Sequence, residues 1–117
     1  MSDQPFDLNV APASVPSSTV IHAQGALVLE HLFRFQEAWR GVQGTNLIFD
    51  LSGVSYMDSS AIGSLVNAHV SCSNRGTRMA VVGVNDRVKQ ILTITKVASL
   101  FKFYDDMPAA EAAVSQA

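Results

Sequence analysis

Three consecutive polar side chains, Asp58, Ser59 and Ser60, stand directly before an apolar segment with helical spacing. Aspartate and serine are common at helix starts, where the first backbone amides have no partner within the helix. A phosphate on Ser59 would lie beside these amides and would add about −1.5 to −2 charge. Such an added charge would drive away a protein docked on the same loop, so this segment has the chemistry of a phosphorylation switch.

The same three residues also fit a purely structural role as a helix cap. The residue types leave open whether Ser60 caps the helix while Ser59 takes the phosphate, or whether the two roles are exchanged. Tyr56 and Met57 precede the cap and are apolar candidates for anchoring a partner, although Met57 fits a core position equally well.

Metal and cofactor sites have little support in the sequence. His22 and His31 are far apart and lack the spacing of metal ligands, so we interpret them as surface or packing residues. Cys72 is the only cysteine, which excludes an internal disulfide and a cysteine-rich zinc site. We therefore expect no metal ion and no cofactor.

An enzyme and a response-regulator receiver are the two rivals to a phosphorylation switch. An enzyme is disfavoured because no His or Cys neighbours Ser59 and no glycine-rich phosphate loop is present, although a remote histidine could approach Ser59 in space. Asp50 ends an apolar run as the acceptor of a response-regulator receiver would. The acidic pair and the lysine that a receiver needs are missing, so we interpret Asp50 as a structural acid at a strand end.

The apolar pattern alternates between the periods of strands and helices. Strands are predicted at residues 6–10, 19–23, 46–51, 79–82 and 101–104. Helices are predicted at 28–42, from 58–60 to about 74–76, from Asn85 or Asp86 to Thr95, and at 109–114. This order predicts an α/β fold, with a mainly parallel sheet of four to five strands, about four helices and right-handed crossovers.

The predicted order also indicates where the serine lies. Residues 46–51 are nearly all apolar, which is typical of a central strand covered on both faces. In parallel α/β sheets, ligands and partners dock at the loops after the carboxyl ends of the strands. We expect residues 52–57 to be a connecting loop that carries Ser59 to that edge.

The whole-chain composition narrows the class of protein. With 117 residues, about half of them apolar, the chain is expected to form one domain, residues 1–117, with a core at about 18–114. The net charge is −2 without a basic cluster, so we expect no direct nucleic-acid binding. No secretory signal and no apolar run of ~20 residues is evident, so we expect no membrane segment and a cytoplasmic location.

Residues 46–65 (NLIFDLSGVSYMDSSAIGSL) resemble the STAS domain of bacterial anti-sigma factor antagonists. In that family a hydrophobic strand ends in Asp-Leu-Ser-Gly-Val and leads to Asp-Ser-[Ser/Thr]-Gly-Leu-Gly. The similarity continues through 74–84 (NRGTRMAVVGV), 87–92 (RVKQIL), 100–106 (LFKFYDD) and 109–113 (AAEAA). It covers roughly residues 18–114, and residues 6–10 match the family's first strand less specifically.

The resemblance implies a role for Ser59, which directly follows the motif's aspartate and corresponds to the family's phosphoacceptor. The unphosphorylated antagonist binds an ATP-dependent anti-sigma factor serine kinase and thereby frees a sigma factor. The phosphorylated form does not bind, and a serine phosphatase restores activity. The partner interface around Ser59 is then expected to include Tyr56, Met57, Asp58, Ser60, Ala61 and Ile62.

Two departures from the family pattern bear on these expectations. Ala61 stands where the family usually has glycine, so we expect an extra methyl group facing the partner. Residues 94–98 (ITKVA) replace a Thr-Gly-Leu turn, which puts the geometry of that turn in doubt. The main alternative keeps the STAS fold but makes the chain a scaffold or nucleotide-binding module of a stressosome-type complex, without serine phosphorylation.

Overall fold

The computed structural model describes residues 5–115. Its strands are β1 (Asp7–Pro12), β2 (Ser18–Leu27), β3 (Asn46–Met57), β4 (Met79–Val82) and β5 (Phe103–Tyr104). Its helices are α1 (Leu32–Arg40), α2 (Ser59–Arg75), α3 (Asp86–Ile94) and α4 (Met107–Val114), with short 3-10 turns at Leu29–His31 and Ala98–Leu100. None of these helices is long and apolar enough to cross a membrane.

The five strands form one sheet in the order β1-β2-β3-β4-β5. β1 runs antiparallel to β2, and the remaining neighbours are parallel. A helix connects each parallel pair, because parallel strands require a crossover between them. The predicted α/β fold with a mainly parallel sheet and four helices is therefore confirmed.

Apolar side chains cover the sheet on both faces. On one face, α1, α2 and α3 pack against the strands through Phe35, Leu65, Val88 and Leu92, among others. The opposite face carries α4, whose Ala110 and Val114 contact Val20, Ile48, Ala80 and Val82. The successive residues Leu47, Ile48 and Phe49 are all fully buried, which fits the prediction of a central strand buried on both faces.

β3 is longer than predicted, since residues 52–57 form a strand and not a connecting loop. β3 pairs with β2 as far as Met57, which lies opposite Leu27. The register of this ladder shifts between His22 and Gln24 and again between Gly25 and Ala26. Val54 and Met57 are buried on the face of the sheet that α1, α2 and α3 cover. The partner strand and this burial hold the segment extended, so Asp50 lies within β3 and not at its end.

Other element ends also differ from the prediction. β2 continues past Gly25, which adopts a positive φ of 90° at a register shift. A 3-10 turn without a side-chain cap precedes α1, so this helix begins at Leu32 and not at Val28. β5 contains only Phe103 and Tyr104 and so begins two residues later than predicted. Phe101, which was expected in this strand, is buried before it with its ring edge-on to His69.

Residues 94–98, whose turn geometry was in doubt, form a turn after α3 although they contain no glycine. Lys96 itself adopts the left-handed conformation, with a φ of 64°. Its amide donates to the Thr93 carbonyl at 3.0 Å, and the Val97 amide donates to the Leu92 carbonyl at 3.1 Å. These two bonds satisfy carbonyl groups at the end of α3. They offset the cost of placing a non-glycine residue in the left-handed region, so the turn forms.

Candidate functional site

Asp58 is the N-cap of α2. Its Oδ1 accepts hydrogen bonds from the Ala61 amide at 3.0 Å and from the Ser60 hydroxyl at 2.6 Å. Its Oδ2 accepts from the Leu29 amide at 2.9 Å, which ties the turn before α1 to the start of α2. Asp58 therefore performs the capping that the sequence left open between Ser59 and Ser60, and Ser60 orients the capping carboxylate.

The Asp58 carboxylate is stabilised in its charged form. Partial desolvation raises its pKa, but the hydrogen bonds from Ser60, Ala61 and Leu29 together lower the pKa below the usual range for aspartate. The positive end of the α2 dipole acts in the same direction. A negative charge is thus already fixed at the mouth of this helix at neutral pH.

Ser59 occupies the first position of α2, and its side chain is exposed. Within residues 5–115 its hydroxyl has no hydrogen-bond partner. The Asp58 carboxylate, the Ser60 hydroxyl and the Ala61 amide bond to one another at this helix start. The Ser59 hydroxyl therefore takes no part in the cap. Its hydroxyl is accessible to another protein and is adjacent in sequence to the ionised Asp58.

Three of the residues expected at a docking face lie in the core. Met57 and Ala61 are 0% exposed and Ile62 is 6% exposed. Their side chains belong to the cluster between the sheet and α1–α3. The expected outward methyl of Ala61 instead points into the protein, because the third position of α2 faces the sheet.

The accessible members of the predicted interface are Tyr56, Asp58, Ser59 and Ser60. The Tyr56 ring is partly exposed at the end of β3, and the Arg87 guanidinium from the first turn of α3 lies 4.9 Å from its centroid. This contact joins the carboxyl end of β3 to that of β4. The loop edge therefore combines the Tyr56 ring, the Arg87 cation and the start of α2, which Asp58 caps and where Ser59 is exposed.

Two exposed apolar residues in the turn before α1 and in its first turn were not among the predicted interface residues. Leu29, whose amide contacts Asp58, is 67% exposed, and Phe33 in the first turn of α1 is 73% exposed. The helix at 28–42 was predicted from apolar residues spaced three and four apart, beginning with Val28 and Leu32, and each exposed residue lies one position after one of these two. Large apolar residues outside a core-facing stripe were the available signal for a surface that contacts another molecule.

A second polar cluster lies within the sheet, on strands β2 and β3. His22 Nδ1 and Asp50 Oδ2 are 2.8 Å apart, and Asp50 Oδ1 accepts from the Ser52 amide and hydroxyl at 3.1 and 2.7 Å. Desolvation raises the pKa of Asp50, but the bonds from Ser52 and His22 outweigh it and lower the pKa overall. No group of three His, Cys, Asp or Glu side chains in residues 5–115 is arranged to hold a metal ion.

Comparison with known proteins identifies relatives of this chain. The model of the STAS domain family matches residues 10–110. An anti-sigma-B factor antagonist from Listeria monocytogenes is 32% identical over 66 residues, which cover 56% of this chain and 58% of the relative. The matched segment spans only 52–58% of the length of the curated relatives.

Solved structures share the fold over nearly the whole chain. An anti-sigma factor antagonist from Mycobacterium paratuberculosis has a TM-score of 0.85 at 18% identity, and 96% of each chain is covered. The Bacillus cell fate determinant SpoIIAA in its phosphorylated form has a TM-score of 0.69 at 15% identity, covering 93% of this chain and 99% of that one. At these identities the likeness concerns the fold.

Proposed function

This chain belongs to the STAS domain family, and from that membership we propose that it is an anti-sigma factor antagonist controlled by phosphorylation of Ser59. In its unphosphorylated form it binds an anti-sigma factor serine kinase and so releases a sigma factor. The observation that carries the proposal is the exposed Ser59 hydroxyl, which is not used by the cap although it lies at the first position of α2. The curated relatives named anti-sigma factor antagonists support the same role.

The apolar residues around Ser59 supply the docking surface. Leu29, Phe33 and Tyr56 present accessible apolar side chains. The Leu29 amide bonds to the Asp58 carboxylate directly before Ser59, and Phe33 follows in the first turn of α1. Covering these side chains with the kinase removes apolar surface from water, which favours binding. The buried residues Met57, Ala61 and Ile62 shape this surface from beneath, and the kinase contacts the exposed side chains above them.

The phosphate opposes this docking electrostatically. Phosphorylated Ser59 would carry about −1.5 to −2 charge beside Asp58, whose own pKa is lowered and which therefore stays ionised. A kinase covering the site would have to desolvate two neighbouring anionic groups, which is costly without cationic partners. The domain need not refold, because the cap is formed by Asp58 and Ser60. A serine phosphatase restores the neutral surface and with it kinase binding.

Substitution of Ser59 tests the proposal directly. With the chain's own kinase, the Ser59→Ala variant should bind like the wild type but incorporate no phosphate from ATP. Ser59→Asp should fold normally and bind at least roughly tenfold more weakly, a loss of about 1.4 kcal/mol. Calorimetric titration gives the affinities, and mass spectrometry identifies the serine that gains phosphate.

Matched variants separate the site from general effects of charge and hydrophobicity. Ser99→Asp adds the same charge at an exposed serine outside the site and should leave binding unchanged. Phe33→Ser should weaken binding, whereas Ile94→Ser, which removes a similarly exposed apolar residue (69%) beyond the site, should not. If wild type and Ser59→Asp bound the kinase equally and no phosphate were incorporated, a scaffold without serine phosphorylation would replace the switch.

A further inference from the structure

A groove of about 530 Å³ lies at the end of α2 opposite Ser59. Its walls come from the last turns of α2, the start of β4, the segment around β5 and the end of α4. The residues that matter for its chemistry are His69, Cys72, Arg78, Met79, Leu100 and Lys102. Its volume falls within the roughly 300–1,000 Å³ of small-molecule sites, and neither the switch nor the kinase surface uses it.

Two cations line this groove and no acidic residue does. Arg78 is held in place, since its Nη1 donates to the Ala113 carbonyl at 3.1 Å, and the remaining guanidinium donors are left for other partners. Neither Arg78 nor Lys102 has a carboxylate within salt-bridge distance in residues 5–115. In a chain with a net charge of −2, this acid-free pair creates a local site for an anion.

The remaining lining is mixed, since apolar side chains lie beside the polar Ser73, Thr77 and Tyr104. Leu100 is 40% exposed, one of the few large hydrophobic side chains left open to solvent, and Met79 is partly exposed beside it. Ala80 and Val114 are buried beneath. Burial raises the pKa of the Cys72 thiol, so this side chain adds no negative charge to the groove at neutral pH. The groove thus combines a cationic rim with an apolar floor.

We propose that this groove binds a small organic anion with an apolar body, of the class of medium-chain carboxylates. The carboxylate lies between the Arg78 guanidinium and the Lys102 ammonium, where charge-assisted hydrogen bonds are available. The hydrocarbon chain covers Leu100 and Met79 and removes their exposed surface from water. The site is independent of the proposed switch, because Ser59 and the groove lie at opposite ends of the 17-residue helix α2.

Octanoate is a suitable probe, with two matched compounds that each lack one half of its chemistry. In a titration of the full chain followed by NMR, octanoate should cause saturable shifts of the Met79 and Leu100 methyl signals. Octanol, which lacks the charge, and acetate, which lacks the chain, should bind at least about fivefold more weakly. Equal binding of octanol and octanoate, or shifts scattered over the surface without saturation, would overturn the proposal.

Variants of the exposed Lys102 test the role of the cations without disturbing the core. Lys102→Gln should weaken octanoate binding about fivefold, as expected for a partly exposed ion pair, and Lys102→Arg should retain it. Lys96→Asn removes a lysine outside the groove, at a left-handed position that asparagine tolerates, and should bind like the wild type. An unchanged affinity of Lys102→Gln would show that the rim cations do not select the ligand. No kinase is present in these titrations, so their result is separate from that of the Ser59 test.

Discussion

At the scale of single residues, the packing of α1 on α2 includes a buried polar contact. The Trp39 indole Nε1 donates to the Ser64 hydroxyl at 3.1 Å, and the two residues are 3% and 2% exposed. Tryptophan is rarely buried without a partner for its N–H group, because a buried donor loses its hydrogen bonds to water and must replace them within the protein. Ser64 supplies the acceptor that allows Trp39 to be buried without an unsatisfied N–H group.

Removing this acceptor should destabilise the protein. We expect Ser64→Ala to lower the free energy of unfolding by about 1–3 kcal/mol, because the indole N–H stays buried without a partner. Ser71→Ala on the same helix loses only a surface bond to Gln43 and should change stability by less than about 0.5 kcal/mol. Urea unfolding measures both. Comparable losses in the two variants would contradict a special role for the buried pair.

The candidate site was predictable at this scale only in part. The residue types indicated that Asp58, Ser59 and Ser60 cap a helix, yet not which of them does so. That choice depends on the Leu29 amide, which approaches Asp58 from another element and fixes its second oxygen. The burial of Met57 and Ala61 was likewise undetermined, because apolar residues near a helix start suit a core and a docking face equally.

At the scale of elements, the order of strands and helices could be predicted because each has a distinct apolar period. The end of α2 was also indicated by Gly76, which adopts a left-handed φ of 73° there. The extension of β3 through residues 52–57 could not be predicted, since serine and glycine in this segment are typical of loops. Its extended state depends on pairing with β2, which is a property of the partner strand.

A close contact between β3 and the end of β4 gives an element-scale prediction. Gly83 has a φ of 75°, and a Cβ placed there would lie 2.6 Å from the Ser52 Cβ. Gly76 has nearly the same φ but no atom within 4 Å of such a Cβ. Gly76→Ala should therefore cost about 1–2 kcal/mol for the backbone alone, and Gly83→Ala should cost clearly more in thermal or urea unfolding.

The extra loss in Gly83→Ala has a specific check. Introducing Ser52→Gly into that variant removes the colliding atom, so the double variant should recover part of the difference from Gly76→Ala. The Ser52→Gly variant alone provides the reference, because it also loses the bonds to Asp50. If Gly83→Ala and Gly76→Ala were equally destabilised, the strands would have enough freedom to separate at this point.

At the scale of the whole molecule, hydrogen-bonded carboxylates join parts that are distant in sequence. Glu111 on α4 accepts from the Ser14 amide at 2.9 Å and from its hydroxyl at 2.6 Å, across 97 positions. Asp58 links α2 to the turn before α1, and Asp50 links β3 to His22 on β2. These three acids connect the beginning, middle and end of the described chain.

The same acids should determine how the protein responds to acid. The Ser14 bonds lower the pKa of Glu111, and the pKa values of Asp50 and Asp58 are also lowered. A carboxyl group whose pKa is lower in the folded than in the unfolded state stabilises the fold above its unfolded pKa of about 4. This contribution is lost as the pH falls through the folded pKa, so stability should decline below about pH 4.5 and vary little above it.

A triple amide variant tests this origin of acid sensitivity. Asp50→Asn, Asp58→Asn and Glu111→Gln together should make the chain less stable than wild type at pH 7, with a flatter decline in acid, so that the two curves approach each other as the pH falls. A control with Asp7→Asn, Asp105→Asn and Glu37→Gln removes three exposed carboxylates that accept no hydrogen bond within residues 5–115, and it should keep the wild-type slope. Urea unfolding at a series of pH values measures all three proteins. If the control flattened the curve as much as the triple variant, net charge rather than these three linkages would govern acid unfolding.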